Sequence, residues 1–218
     1  MERDIAERLA RELKIDKTQV TREYYEILIL KGLSSLPCSD YLIFKGGSAL
    51  RLAYGSPRFS EDLDFSMTKD CFGDKFSDIV RKIVTPIPDS GITDSVEKYR
   101  TYLAEIKITK DYLGSPFRIK IEVSKRVEKD YKWHLLMLKS QSSIYSVLFK
   151  VATLQQLYID KQLCLKERVQ SKDLFDLWYI SEVLKRPYNP EVEIDKKILR
   201  RDLRKFLPID FHKVIEEL

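Results

Sequence analysis

The sequence is poor in the residue types that build disulfide scaffolds, zinc centres and histidine-based active sites. Its 218 residues include three cysteines, Cys38, Cys71 and Cys164, which are far apart and form no Cys-x-x-Cys pair. His134 and His212 are the only histidines, and neither has a neighbour that suggests metal ligation. We therefore expect neither a disulfide scaffold nor a zinc site, and we expect structural or surface roles for both histidines.

Long apolar runs are also missing. No stretch approaches the length of a membrane-spanning helix, and the charged beginning of the chain is unlike a signal peptide. We therefore expect a soluble, cytoplasmic protein that does not bind membranes. The net charge of +5 is a mild basic bias, which is compatible with a polyanionic partner but is equally common in proteins that have none.

The most informative segment lies between residues 41 and 54. An apolar run over residues 41–44 predicts a buried strand, Gly46 and Gly47 follow it, and residues 48–54 predict a short helix. Glycine lets the backbone approach an anion closely, and the beginning of a helix offers unpaired N–H groups. The pattern therefore predicts a phosphate seat formed by Gly46, Gly47 and Ser48. The alternative is an ordinary turn with Ser48 as helix N-cap, and the two interpretations are compatible.

Three acidic residues predict a site for a divalent metal. Asp62 and Asp64 are separated by one residue, which on a strand places both carboxylates on one face. Carboxylates side by side repel each other unless a cation lies between them. Glu122 lies on the polar side of an alternating segment, residues 117–123, so the three acids could hold two Mg²⁺ ions, with Mn²⁺ as a substitute. The alternatives are an acidic loop for the aspartates and, for Glu122, a solvated side chain paired with Lys120.

Hydrophobic periodicity divides the chain into two parts. Helical spacing covers residues 2–13 and continues from Asp16 or Thr18 to a stop at Gly32, and a further helix is predicted over residues 69–84. Residues 93–123 have a strand-like pattern, residues 124–150 give no clear pattern, and residues 153–218 return to helical spacing. We therefore predict an α+β part up to residue 150 and a helical part over residues 151–218.

Two blocks of sequence, residues 46–50 and residues 58–65, carry a resemblance to a known family. In order and spacing they resemble the AbiEii/AbiGii toxin family, within the DNA polymerase beta-like nucleotidyltransferase superfamily. The resemblance extends thinly to about residue 177, and it implies a small mixed β-sheet core with a C-terminal helical part that closes a nucleotide cleft. The matching residues are Gly46, Gly47, Ser48, Ala49 and Leu50, then Arg58, Phe59, Ser60, Asp62, Asp64 and Phe65.

The resemblance also implies roles for Lys161 and Asp173 in the C-terminal part. These residues match a family lysine on one helix and the first aspartate of an Arg/Lys-Asp-x-x-Asp-Leu stretch on the next, so Lys161 would steady the nucleotide phosphates and Asp173 would position metal or acceptor. Lys161 lies on the apolar face of its helix and must either extend outward or meet an anion. Asp173 could instead be a helix N-terminal acid and Asp176 a surface ion-pair partner. Lys172 stands where many relatives have arginine, which puts a bidentate phosphate contact there in doubt.

The implied activity is Mg²⁺-dependent transfer of a nucleoside monophosphate from an NTP to an acceptor hydroxyl, with release of pyrophosphate. The resemblance implies the 3′ end of tRNA as the acceptor, growth arrest as the outcome and a cognate antitoxin as the partner. The residues themselves leave open another RNA, a protein hydroxyl or a small molecule. They also leave open a kinase-like transfer of the γ-phosphate to a protein, or a non-catalytic nucleotide-binding scaffold, although three intact acids argue against the scaffold.

Overall fold

Two helices precede the sheet. The computed structural model describes residues 1–127, 130–190, 192 and 194–218. Helix α1 (Arg3–Leu13) and helix α2 (Lys17–Ser34) follow the predicted pattern, and the Asp16 side chain caps α2 by accepting a hydrogen bond from the Thr18 N–H. The prediction that α2 ends at Gly32 is wrong, because the helix continues to Ser34. A Cβ at Gly32 would lie 3.0 Å from Ile83 Cγ2, so this glycine permits close helix packing instead.

A mixed seven-stranded sheet forms the centre of the molecule, which confirms the predicted α+β class. Along the sheet the strands follow the order β3-β4-β5-β2-β1-β7-β6. The pairs β2–β5 and β1–β7 are parallel and the other neighbouring pairs are antiparallel. The strands are β1 (Leu42–Lys45), β2 (Asp62–Met67), β3 (Ser90–Glu97), β4 (Thr101–Ile108), β5 (Phe117–Val127), β6 (Trp133–Leu138) and β7 (Val147–Ala152).

Five further helices connect and follow the strands. They are α3 (Gly46–Tyr54), α4 (Phe76–Val84), α5 (Leu154–Glu167), α6 (Ser171–Leu184) and α7 (Lys196–Leu203), and a 3₁₀ segment (Ile209–Glu216) lies near the C-terminus. Helix α4 begins later than the predicted residue 69. The Asp70 side chain accepts hydrogen bonds from the N–H groups of Phe72 and Gly73, and this local turn competes with a helix.

The two faces of the central strands differ because side chains alternate along a strand. Leu63 and Phe65 of β2 and Ile121 of β5 point into the main hydrophobic core, which they share with residues of α2 and α4. Asp62 and Asp64 therefore lie on the opposite face. None of the helices that the structure describes combines the length and apolar character that a membrane-spanning segment requires.

Strands β6 and β7 lie in and just after the segment that has no clear sequence pattern, residues 124–150. Leu135 and Met137 are exposed although they are apolar, because β6 lies at the edge of the sheet, and this exposure hides the usual alternation. Strand β7 crosses residue 150, the predicted boundary, and a smaller apolar cluster joins Ile43 of β1 to Leu157 of α5 and Ile180 of α6. The division into two domains stays a prediction.

Candidate active site

The glycine pair lies where β1 ends and α3 begins. Gly46 has a φ of +76°, and a Cβ on it would lie 2.5 Å from Asp64 Oδ2. A Cβ on Gly47 would lie 2.2 Å from Arg58 Nη2. Both positions therefore require glycine, since the backbone packs directly against a carboxylate on one side and a guanidinium on the other. The beginning of α3 therefore lies beside Asp64.

Strand register brings the three predicted acids together. Asp62 is the cross-strand partner of Lys120, and Asp64 is the partner of Glu122. We call Asp62, Asp64 and Glu122 the acid cluster. Lys120 Nζ lies 3.0 Å from Glu122 Oε2 and 3.9 Å from Asp62 Oδ2. Glu122 therefore both neighbours Asp64 and forms the ion pair with Lys120 that the sequence offered as its alternative.

The acid cluster carries an excess of negative charge. Burial, helped by the carboxylates of Asp62 and Glu122, raises the pKa of Asp64 to about 6, although Lys120 and Lys45 oppose the shift. Asp64 is thus the carboxylate whose ionised form most needs another cation nearby.

The donor chemistry of the acid cluster fits Mg²⁺, which binds carboxylate oxygens in preference to nitrogen or sulfur. The repulsion felt by Asp64 is also the kind that a divalent ion relieves. Over the residues that the structure describes, however, no group of three acidic, histidine or cysteine side chains is arranged around a point that a metal ion could occupy. The ammonium of Lys120 contacts oxygens of two of the three acids instead.

Ser48 occupies a different position from the one expected of an N-cap. It is the third residue of α3, Lys45 holds the cap position, and the Ser48 hydroxyl donates a 2.5 Å hydrogen bond to the backbone oxygen of Asp62. The N-cap interpretation is therefore wrong. The bond ties the beginning of α3 to β2, and it uses the one proton that the hydroxyl could offer to a phosphate. A direct phosphate contact by Ser48 stays a prediction.

Lys161 and Asp173 lie in a second group of charges. Arg58 donates two hydrogen bonds of 2.7 Å to the two carboxylate oxygens of Asp176, and Lys161 Nζ lies 2.7 Å from both Asp173 Oδ1 and Asp176 Oδ2. All four residues are at most 8% exposed. We call Arg58, Lys161, Asp173 and Asp176 the buried ion network. The surface ion-pair interpretation of Asp176 is therefore wrong.

Opposite charges keep the buried ion network ionised. Burial alone would raise the pKa of Asp176, but the charges of Arg58 and Lys161 outweigh it and lower that pKa. Burial alone would lower the pKa of Lys161, but Asp176 and Asp173 raise it above its usual value. Asp173 Oδ2 has no hydrogen-bond partner among the described residues, although Arg168 Nε lies 3.7 Å from it.

The two charge groups meet at the glycine pair. Asp64 of the acid cluster lies against Gly46, and Arg58 of the buried ion network lies against Gly47. Lys161 and Asp173 are linked to this turn through Asp176 and Arg58. This link is indirect, so the contact of Lys161 and Asp173 with the nucleotide stays a prediction.

A cleft of about 580 Å³ lies beside the beginning of α6. Its lining includes Lys172, Lys205 and Phe206 but not the acid cluster, which lies on the open face of the sheet. Lys172 Nζ forms a 2.8 Å ion pair with Glu61, the residue before Asp62. This lysine is therefore engaged by a carboxylate, in keeping with the doubt about a phosphate contact at this position.

The family model for the nucleotidyl transferase AbiEii toxin of type IV toxin–antitoxin systems matches residues 28–215. The chain belongs to the AbiEii family. It is thus a nucleotidyltransferase toxin, and membership implies an NTP substrate and a relation to an antitoxin, whereas the acceptor is not specified.

Three solved structures share the fold of this AbiEii-family chain. MenT4, a nucleotidyltransferase toxin from Mycobacterium tuberculosis H37Rv, aligns with a TM-score of 0.60 and 19% identity over 92% of this chain and 68% of that chain. JHP933 from Helicobacter pylori aligns with a TM-score of 0.57 and 21% identity over 77% of this chain and 68% of that chain. A putative nucleotidyltransferase from H. pylori aligns with a TM-score of 0.53 and 21% identity over 73% of this chain and 67% of that chain. At these identities the likeness shows the fold alone. No curated protein matches the sequence significantly.

The sequence does not reveal the contacts of two residues of the candidate site. Arg58 belongs to the matching motif, but the sequence assigns it no role, because its partner Asp176 is 118 positions away. For Lys120 the sequence indicates only a pairing with Glu122. Its alternation with Glu122 on the polar side of β5 was the available signal, but its place opposite Asp62 depends on strand register.

Proposed function

We propose that this AbiEii-family toxin transfers a nucleoside monophosphate from an NTP to a hydroxyl of an RNA acceptor, the 3′ end of tRNA, and releases pyrophosphate. One observation carries the proposal: Asp64 lies opposite Glu122 in the β2–β5 register and against the backbone of Gly46. An anion seat and a carboxylate group are thereby adjacent, and phosphoryl transfer needs both.

Gly46, Gly47 and the beginning of α3 would bind the triphosphate. The first N–H groups of a helix have no partners within the helix and point toward the end where an anion binds. The buried ion network stabilises this turn, since the two bonds between Arg58 and Asp176 hold the guanidinium against Gly47. A seat fixed before the ligand arrives loses less entropy on binding.

Asp62, Asp64 and Glu122 would hold Mg²⁺ (two ions), with Mn²⁺ as a substitute. When bound, these ions supply acidification of the acceptor hydroxyl and neutralisation of charge on the departing pyrophosphate. The acceptor hydroxyl would release its proton to solvent, and its oxygen would form a bond to the α-phosphorus while the bond from that phosphorus to the leaving pyrophosphate oxygen breaks. Strands β2 and β5 hold the carboxylates beside the phosphate seat, and the carboxylates would orient the NTP and the acceptor hydroxyl there.

Lys161 and Asp173 belong to the proposed site in two ways. Lys161 holds Asp176 in place beside Arg58 and would steady the phosphates from behind the glycine turn. Asp173 would position metal or acceptor through Oδ2, the oxygen that accepts no hydrogen bond from the described residues. Helices α5 and α6 of residues 151–218 carry these two residues, so this part would close the nucleotide cleft over residues 1–150.

The acceptor and the antitoxin complete the proposal. A transfer to tRNA would remove it from translation, and growth arrest would follow. A cognate antitoxin would counteract this outcome, as the family's type IV toxin–antitoxin description implies. The basic net charge of +5 is compatible with a polyanionic acceptor.

A double-label experiment tests the proposal. The protein is incubated with Mg²⁺, total tRNA and each NTP, labelled at the α-phosphate in one set and at the γ-phosphate in another. We expect α-label in tRNA, and we expect Asp62→Asn with Asp64→Asn to abolish it while Asp94→Asn, an exposed aspartate of β3, leaves it unchanged.

The remaining outcomes contradict the proposal in distinct ways. Label that comes only from the γ position and appears in protein would indicate a kinase-like reaction. Nucleotide binding without transfer of either label would indicate a scaffold. Transfer that survives the double substitution would show that the site has been assigned to the wrong residues.

A further inference from the structure

We propose that Lys120 is a built-in counter-ion that competes with divalent metal for the acid cluster. The inference rests on the proposed function insofar as the cluster binds metal. Lys120 and the three acids occupy a two-by-two array on adjacent strands, in which Asp62 faces Lys120 and Asp64 faces Glu122. The ammonium thus occupies one corner of an otherwise anionic group.

The contacts of Lys120 distinguish it from a typical surface ion-pair residue. Its Nζ lies 3.0 Å from a Glu122 oxygen and 3.9 Å from an Asp62 oxygen, so one cation serves two carboxylates on different strands. Those are the oxygens that a divalent ion would need. A lysine side chain carries a full positive charge at neutral pH.

The two cations compete for the negative charge of these carboxylates. A lysine ammonium and a metal ion cannot use the same lone pair, and the two positive charges repel each other at short range. Divalent metal at the acid cluster would therefore push Lys120 away. The side chain is 34% exposed and its four-carbon stem is flexible, so it can move toward solvent without disturbing the core.

Displacement couples metal binding to binding of an anion. Without metal, Lys120 reduces the repulsion within the acid cluster and holds β2 and β5 in register. With metal bound, its ammonium is free to pair with an anionic ligand on the same face, and a nucleotide triphosphate is the anion that this site receives. The lysine thus makes metal binding weaker in the empty protein than in the nucleotide complex.

Mn²⁺ binding to three variants of the full chain tests the inference. Electron paramagnetic resonance measures free Mn²⁺ during titration without nucleotide, so no activity is needed. We expect Lys120→Met to bind Mn²⁺ about tenfold more tightly than the wild type, because a competing positive charge has been removed. Lys120→Arg retains the charge, so we expect its affinity to stay within about threefold of the wild type.

Lys107→Met is the matched control. Lys107 is exposed on β4 and points to the same face of the sheet as Lys120, because its cross-strand partner on β5 is Arg118, two residues before Lys120. It forms no ion pair with the described part of the chain. Its removal changes the net charge equally, so we expect Mn²⁺ affinity to change by less than about twofold. Melting in EDTA shows whether each variant is folded before the titration.

The outcomes separate this inference from the proposed function. Equal or weaker Mn²⁺ binding by folded Lys120→Met would overturn the counter-ion role, even if NMP transfer is observed. Tighter binding would support it, even if no transfer to tRNA is found. If Asp64→Asn binds Mn²⁺ as well as the wild type, the metal does not bind at the acid cluster, and both the metal assignment and the counter-ion role fail.

Discussion

Substituting Asp64 by asparagine should make the metal-free protein more stable at neutral pH. The Asp64 carboxylate lies beside Asp62 and Glu122, and only electrostatic interactions and burial, not hydrogen bonds to the described residues, act on its pKa. Asparagine has nearly the same shape and no charge, so the substitution removes repulsion without breaking a contact. A residue of the proposed site thus lowers the stability of the fold that carries it.

The magnitude follows from the shift in pKa. Asp64 titrates at about 6 in the folded protein and at its usual value of 3.8 in the unfolded chain. Between these values the folded protein binds the proton more tightly, so stability falls as pH rises and the cost is complete above pH 6. A shift of about two units corresponds to about 3 kcal/mol, and screening by the solvent that reaches this partly exposed group reduces it to about 1–3 kcal/mol.

Urea unfolding in EDTA measures the effect. At pH 7.5 we expect Asp64→Asn to raise the free energy of unfolding by about 1–3 kcal/mol, and at pH 4.5 by about a third as much, since most of the native carboxyl groups are then protonated. Asp94→Asn is the control, because that side chain is exposed on β3, and its effect should stay within about 0.5 kcal/mol.

The pH dependence is the decisive part of this experiment. An Asp64→Asn variant that is less stable than the wild type at pH 7.5, or equally stabilised at both pH values, would refute the electrostatic reasoning. In saturating Mg²⁺ the order should reverse, because a ligand that binds the folded wild type stabilises it, and the variant loses that gain.

Three further substitutions test the surroundings of the glycine pair. Gly46→Ala should lower the free energy of unfolding by about 1–3 kcal/mol and abolish transfer, because it combines a positive φ with a Cβ 2.5 Å from Asp64. A Cβ on Gly91 would have nothing within 4 Å, so Gly91→Ala should be nearly neutral in the same thermal and urea assays. Asp176→Asn should lower the free energy of unfolding in urea by about 3–5 kcal/mol, because it leaves two buried cations with one carboxylate. The control is Asp78→Asn, whose aspartate belongs to an ion pair but is 65% exposed, so it should lower the free energy of unfolding by less than about 1 kcal/mol. Ser48→Ala should cost about 1–2 kcal/mol, because the bond to the Asp62 carbonyl is lost, and a result near zero would show that this bond does not hold α3 to β2.

The parts of the fold that local patterns specify were predictable. Alternation on β5 placed Glu122 on the polar side, and the spacing of Asp62 and Asp64 placed both on one face, because the geometry of a strand is periodic. The Gly46–Gly47 turn was predictable for the same reason, since a turn between a buried strand and a helix has a recognisable residue preference. The edge strand β6 was not, because exposure on both of its faces removes the alternation that marks a strand.

Long-range ion pairs were beyond the reach of local patterns. The position of Lys161 on an apolar helix face left two possibilities, extension outward or contact with an anion, and the structure supplies Asp173 and Asp176. The sequence could not choose between these partners and a triphosphate, because the choice depends on how α5 packs against α6. Arg58 likewise meets Asp176 only through the packing of α6 against the beginning of α3.

The two charge groups beside the glycine pair, the buried ion network and the acid cluster, differ in their net charge. The buried ion network pairs two cations with two carboxylates, so its charges cancel and it can lie in the interior as a rigid support. The acid cluster with Lys120 has three carboxylates and one cation, so it is left with a net negative charge on an open face. Gly47 contacts the neutral buried ion network, and Gly46 contacts the negatively charged acid cluster. Two adjacent residues therefore connect a rigid, charge-neutral interior to a site that still requires a cation. This imbalance, held in place by a neutral interior, is the physical reason to locate metal-dependent chemistry at Gly46 rather than at Lys161.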